Sequence, residues 1–337
     1  MLPGGGPQSS AECSIPQSAI FDGGPGKDGI PALTDPEFVP AESPRASYLR
    51  DADRVIGVVI GGEPLAIPLN IGWWHEIVNL DRGGLQLAVT YCPLTGSSIA
   101  FDRTPLGGGA FGVSGLLYLN NLIMYDRTSS ESLWPQMLRQ AGCGPRNGTR
   151  LSHYPVIEMS WAGWKSLYPN TLVIGSATGY SRNYRSNPYG SYDQLNNRDL
   201  LFPIPRVDTR RPLKERVLGI PGEAGGGIAF PYGALDAGAA VRAVHATAAG
   251  GAVVVFWDRS RQAAMAFRPL AEGRRLSFEA RDGRLVDVET GSTWQVDGRA
   301  VTGPLAGQRL EPVAEAFVAF WFGWAAFHPD TRLWTGA

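Results

Sequence analysis

Hydrophobic positions along the chain come in short runs separated by Gly, Pro and Asp. Residues 55–60, 85–91, 97–102 and 122–127 are β-branched or aromatic runs of this kind, and the pattern predicts a strand in each. Two stretches carry the helical period instead. Residues 69–78 put Leu69, Trp73 and Ile77 on one apolar stripe, which predicts a helix with His75 and Glu76 beside the stripe. Ser160 is placed to cap a second short helix through Trp161, Trp164 and Leu167 that stops before Pro169.

The pattern recurs. Arg54-Val-Ile-Gly57 followed by Ala66-Ile-Pro68 returns as Arg216-Val-Leu-Gly219 followed by Ala229-Phe-Pro231. Ala100-Phe101, Ser132-Leu-Trp134 and the group Trp161, Trp164 and Tyr168-Pro-Asn-Thr171 return as Ala266-Phe267, Ser292-Thr-Trp294 and Trp321, Trp324 and His328-Pro-Asp-Thr331, in the same order and offset by about 160 residues. We therefore expect a β-rich α+β fold made of two tandem pseudo-symmetric repeats of a β-sheet module with short helices, each unit roughly 130 residues long. The expected boundaries are an N-terminal arm or linker over 1–40, a first repeat with the candidate site over 41–174, a Tyr/Arg/Asn-rich connection over 175–211, and a second, degenerate repeat over 212–337. Residues shared by the two copies are mainly Gly, Pro, Trp and apolar types, which build scaffold. Chemistry is sought among residues that only one copy has.

Charge removes one class of function. Thirty basic against thirty-one acidic residues give a net charge of −1, without the basic footprint that nucleic acid requires. The uncharged run 104–125 is broken by glycines and by Asn120-Asn121, and the aromatic tail 316–327 is too short to cross a bilayer, so no integral membrane segment is expected. No signal peptide is visible at the start, as in a chain whose export signal has been removed. Three cysteines, Cys13, Cys92 and Cys143, allow one disulfide at most and exclude a zinc-type cysteine cluster.

In the first copy, Cys92-Pro-Leu-Thr95-Gly-Ser97 reads as half of a redox motif, a thiol at a strand end whose usual second cysteine is Thr95. Such a thiol serves as nucleophile or metal ligand but closes no disulfide within the motif. His75 is the side chain suited to activate it, and Glu76 or Asp126 to orient the pair. The segment around Tyr125, Asp126, Arg127, Trp134 and Gln136 offers ligand contacts, with Arg127 able to clamp a carboxylate or phosphate. Asp126 and Trp134 recur in the second copy as Asp287 and Trp294, which favours turn bracing for them. Thr95 and Ser97 join the ligand set, and Met124 completes a His75, Cys92, Met124 set for copper. No phosphate-binding loop, nucleophile elbow or paired-histidine zinc motif is present.

Gly24-Pro-Gly-Lys-Asp-Gly-Ile-Pro31, His75-Glu-Ile-Val-Asn79, Val89-Thr-Tyr-Cys-Pro-Leu94, Phe111-Gly-Val-Ser-Gly115, Met124-Tyr-Asp-Arg-Thr128 and Phe320-Trp-Phe-Gly-Trp-Ala-Ala-Phe327 together resemble the domain of unknown function 3179 family of bacterial and archaeal proteins. The resemblance spans about Ile20 to Thr331. It implies an exported or lipid-anchored, extracytoplasmic protein, and a second cysteine where this chain has Thr95, a departure that weakens a dithiol role. It supplies no reaction. The leading expectation is thus a thiol-dependent enzyme or redox protein using Cys92 with His75. The alternatives are a non-catalytic module for a small molecule, glycan or peptide, and a copper-binding protein.

Overall fold

Where short apolar runs are bounded by turn residues, strands form. The computed structural model describes residues 13–223 and 225–336, and within them Arg54–Ile60, Leu85–Cys92, Ser97–Asp102 and Asn121–Asp126 are strands of a β-rich fold with four short α-helices. Ser160 caps the helix Trp161–Leu167, its hydroxyl accepting the Gly163 N–H at 3.1 Å.

The helix expected over 69–78 is shorter. It runs Leu69–His75, and Ile77–Arg82 is a strand paired with Leu85–Cys92, Ile77 facing Thr90. Ile77 is buried in either conformation, so the apolar stripe alone did not separate the two. The β-branched pair Ile77-Val78 and the available edge of Leu85–Cys92 favour the strand.

The largest sheet has nine strands. Its path runs Leu33–Thr34, Ile77–Arg82, Leu85–Cys92, Ser97–Asp102, Phe317–Phe320, Arg216–Pro221, Gly226–Pro231, Asp330–Leu333, with His153–Tyr154 pairing beside Ser97–Asp102. Val318 opposite Ser98 is where the strands of the first half meet those of the second. A five-stranded sheet orders Ile157–Ser160, Arg54–Ile60, Glu63–Pro68, Leu172–Ile174 and Phe38–Pro40, and a four-stranded sheet orders Ile20–Asp22, Phe111–Tyr118, Asn121–Asp126 and Leu133–Pro135.

The R-V-x-G segments have a physical role. Gly57 faces Ala66 across an antiparallel pair, and Gly219 faces Ala229 in another. A Cβ on Gly57 would lie 2.2 Å from the Trp164 ring, and one on Gly219 would lie 2.1 Å from the Trp324 ring, so each glycine is the space its tryptophan occupies. The indole N–H groups donate to Thr171 at 2.7 Å and Thr331 at 2.9 Å.

The expected arm over 1–40 lies outside the described residues as far as residue 12. From Cys13 onward it is tied down: Cys13 and Cys143 form a disulfide, and Ile20–Asp22, Leu33–Thr34 and Phe38–Pro40 each join a different sheet. The connection 175–211 contains no strand or helix. It packs on the first half through buried Tyr184 and Tyr192, and through Asn120, whose amide exchanges hydrogen bonds with the Phe202 backbone at 2.7 and 3.0 Å. Among the described residues no helix is long and apolar enough to cross a membrane.

Candidate functional site

The end of the first helix places the acid. Glu76 takes φ 56°, which a residue bearing a side chain adopts at a cost of about 1 kcal/mol or more. Its N–H closes onto the Gly72 carbonyl at 2.9 Å and its carbonyl accepts the Tyr91 N–H at 2.8 Å. The turn therefore sets Glu76 across from Tyr91, the residue before Cys92, which ends the strand.

Cys92 is buried, and its sulfur is a convergence point for donors. It accepts the Leu122 N–H at 3.4 Å, faces the Thr95 N–H and hydroxyl, and lies 3.7 Å from the Asn120 carbonyl, the acceptor for its own proton. Those donors favour a thiolate. Burial, followed by the charge of the Glu76 carboxylate, outweighs them and pushes the thiol up to about 11. The Glu76 carboxyl, 7% exposed, has no hydrogen-bond partner among the described residues, and burial pushes it up to about 8. At neutral pH the centre therefore rests as thiol and carboxylic acid. Tyr189 and Tyr192 complete its surroundings from the connection. Their phenols are raised by burial first, with Glu76 and Cys92 adding at Tyr189 and Cys92 at Tyr192, whose buried hydroxyl is unpartnered.

His75 is not the thiol's partner, which corrects the expected Cys-His pair. Its Nδ1 lies 2.8 Å from the Pro31 carbonyl and its Nε2 2.7 Å from the Tyr184 hydroxyl. A carbonyl only accepts, so Nδ1 carries the proton and Nε2 accepts from Tyr184. Burial lowers its pKa to about 4, which keeps this tautomer neutral. A helical stripe hid this arrangement because the partner, Tyr184, sits more than a hundred residues away in the connection.

Thr95, Ser97 and Gln136 do meet, but as a closed buried network rather than a ligand surface. Gln136 Oε1 accepts from Ser97 at 2.5 Å and from Asn121 Nδ2 at 2.8 Å, while Gln136 Nε2 donates to Thr90 at 2.8 Å and to the Ser97 carbonyl at 3.1 Å. Asn121 Nδ2 also reaches Thr95 at 3.0 Å, and its Oδ1 takes the Met137 N–H at 2.8 Å. Because Ser97 spends its proton on Gln136, the Thr95 hydroxyl is the donor in the 2.9 Å contact with Ser97. That same proton is the one available to a Cys92 thiolate, so Thr95 links the network to the sulfur. Thr90 and Asn121 were missed in the sequence. Two adjacent asparagines inside an otherwise apolar run were the available signal, since a buried amide needs partners.

The remaining candidates are structural. The Asp126 carboxylate accepts from Trp134 Nε1 at 2.7 Å, the Ser132 N–H at 3.1 Å and the Thr128 hydroxyl, all in its own turn, and Asp287 accepts from Trp294 Nε1 at 2.9 Å. Turn bracing replaces the expected orienting role of Asp126. Arg127 and Tyr125 both hold Asp28, each at 2.5 Å, so Arg127 is a paired surface group and not a free anion clamp. Trp134 and Met124 are buried in the core. With both His75 nitrogens occupied, the copper set has no free imidazole lone pair, and among the described residues no group of three or more His, Cys, Asp or Glu is arranged for a metal.

The fold and site define a β-rich protein with a buried thiol, Cys92, and a buried acid, Glu76, whose charge acts on that thiol, at the end of a hairpin of the largest sheet. The chain matches the family model described as "Protein of unknown function (DUF3179)" over residues 27–331, and it belongs to that family. No curated protein and no solved structure matches it.

Proposed function

We propose that the chain is an extracytoplasmic thiol-dependent enzyme in which Cys92 is the nucleophile and Glu76 the proton acceptor. The observation that carries this reading is Glu76: 7% exposed, with no hydrogen-bond partner for its carboxyl among the described residues, set on a turn of positive φ, and acting by its charge on Cys92. Unpartnered buried acids and strained turns concentrate at reactive sites. In the step, the S–H proton passes to the Glu76 carboxylate while sulfur bonds to an electrophilic carbon, whose leaving group departs with its bonding pair and takes the proton from Glu76. The N–H groups of Thr95 and Leu122 face the charge that develops on sulfur. Cys92 is buried, so access requires its surroundings to open, and Tyr189 and Tyr192, which pack in the same apolar cluster, belong to a segment without regular structure.

An internal dithiol cycle has no support. Cys92 is the free cysteine, Cys13 and Cys143 are bonded to each other, and Thr95 stands where the second thiol of the motif would be. That disulfide favours an oxidising, extracytoplasmic setting. The matched Gly–Trp and Asp–Trp pairs of the two halves support an internal duplication in which the second copy lost the site. The test is labelling of the folded chain with a chloroacetamide at pH 8. We expect one adduct, at Cys92, absent in Cys92→Ser and slowed about tenfold or more in Glu76→Gln. Labelling that occurs only after unfolding would overturn the reading.

A further inference from the structure

A second site lies away from the thiol. A cavity of about 520 Å³ opens between the start of the strand Arg54–Ile60, the helix Leu69–His75 and the connection, and four arginines line it: Arg50, Arg54, Arg185 and Arg216. Arg54 and Arg216, which head the two R-V-x-G strands, converge on buried Glu158 at 2.5 and 3.1 Å, and this fixes both guanidinium groups in the wall. Their pairing uses Nε of Arg216, and Nε and Nη2 of Arg54, and leaves the other η nitrogens without a protein acceptor. Arg185 spends Nη2 on the Ser47 carbonyl, and the Arg50 side chain has no partner among the described residues. The wall also presents acceptors. Asn70, 2% exposed, braces this wall, donating through Nδ2 to the Tyr184 carbonyl at 2.8 Å and to Asp53 at 3.3 Å. Asp53 and Asp193 stand beside it.

We propose that this cavity binds a small oxyanion that also carries O–H or N–H donors, a phosphate or carboxylate on a short polyhydroxylated or amino-bearing skeleton. Guanidinium groups with free η nitrogens take the oxyanion, two at a time where they converge. Asp53 and Asp193 take the hydroxyl or amino donors of the skeleton, which inorganic phosphate does not have.

Calorimetric titration of the full chain with glycerol 3-phosphate, glycerate and inorganic phosphate tests it. Glycerol 3-phosphate stands for phosphate esters and glycerate for carboxylates. We expect saturable binding of at least one of these two, tighter than inorganic phosphate, and weakened about tenfold or more in both Arg50→Gln/Arg185→Gln and Arg216→Gln. The first variant changes surface side chains only, so it keeps the test valid if loss of Arg216 disturbs folding around Glu158. No saturable heat with either ligand, or binding unchanged in the double variant, overturns the proposal. Binding lost in Cys92→Ser but kept in the arginine variants would place the anion at the thiol and overturn it too.

Discussion

The Glu76 carbonyl accepts the Tyr91 N–H at 2.8 Å, and this one bond continues the hairpin ladder past Ile77 and brings an acid alongside a thiol. Neither residue would sit there if the helix had run on to 78 as the apolar stripe suggested. The site exists because the chain changes from helix to strand across a single residue of positive φ.

That residue titrates against stability. Glu76 binds its proton more tightly folded than unfolded, so its stabilisation is complete below an ordinary carboxylate pKa and is lost as pH rises toward about 8. The loss is on the order of a few kcal/mol. Buried His75 and His328 and half-buried His153 act in the opposite direction: held down to about 4, 4 and 3, they cost stability as pH falls below about 6.5. Urea midpoints of Glu76→Gln should approach those of the parent near pH 5 and exceed them increasingly toward pH 8. Parallel curves would mean that the carboxyl is solvated.

The positive φ of Glu76 is strain that glycine relieves. Glu76→Gly should be more stable than Glu76→Ala by about 1 kcal/mol, a difference that isolates the backbone from the lost carboxyl. Equal midpoints in urea would show the turn to be unstrained.

Gly57 and Gly219 yield their Cβ space to Trp164 and Trp324. Gly57→Ala and Gly219→Ala should each cost about 2 kcal/mol or more, because a packed strand and a packed indole have little room to move apart. Thermal unfolding checks this, and a loss within about 0.5 kcal/mol at either site would show that the tryptophan shifts freely.

Gln136 satisfies Thr90, Ser97 and Asn121 at once. Gln136→Leu should destabilise by about 2–4 kcal/mol, since it strands several buried groups, and it should also alter Cys92 labelling through Thr95. An unchanged labelling rate in a destabilised chain would confine the network to a structural role.

Much of the scaffold was legible because turns, caps and tryptophan anchors are local. The strand 85–91, the cap at Ser160 and the scaffold character of the repeated glycines and tryptophans follow from period and residue type, whereas which glycine meets which tryptophan does not. Cys92 and Glu76 were also legible as candidates. Their partnership was not, because imidazole chemistry pointed to His75, whereas Pro31 and Tyr184 bind its two nitrogens from segments far away in sequence. The same distance hid Asn121 and the arginine cavity, both of which depend on elements brought together only by folding.

The most direct test of the central claim is the pH dependence of Cys92 alkylation by iodoacetamide in the folded parent, Glu76→Gln and His75→Ala. A base of pKa about 8 acting on a thiol of about 11 gives a rate that rises and bends near pH 8, well before the thiol itself ionises. We predict that bend in the parent and in His75→Ala, and its loss in Glu76→Gln, which keeps only the alkaline limb of the thiol. A bend that survives in Glu76→Gln, or one that disappears with His75, would contradict the account and return the imidazole to the site.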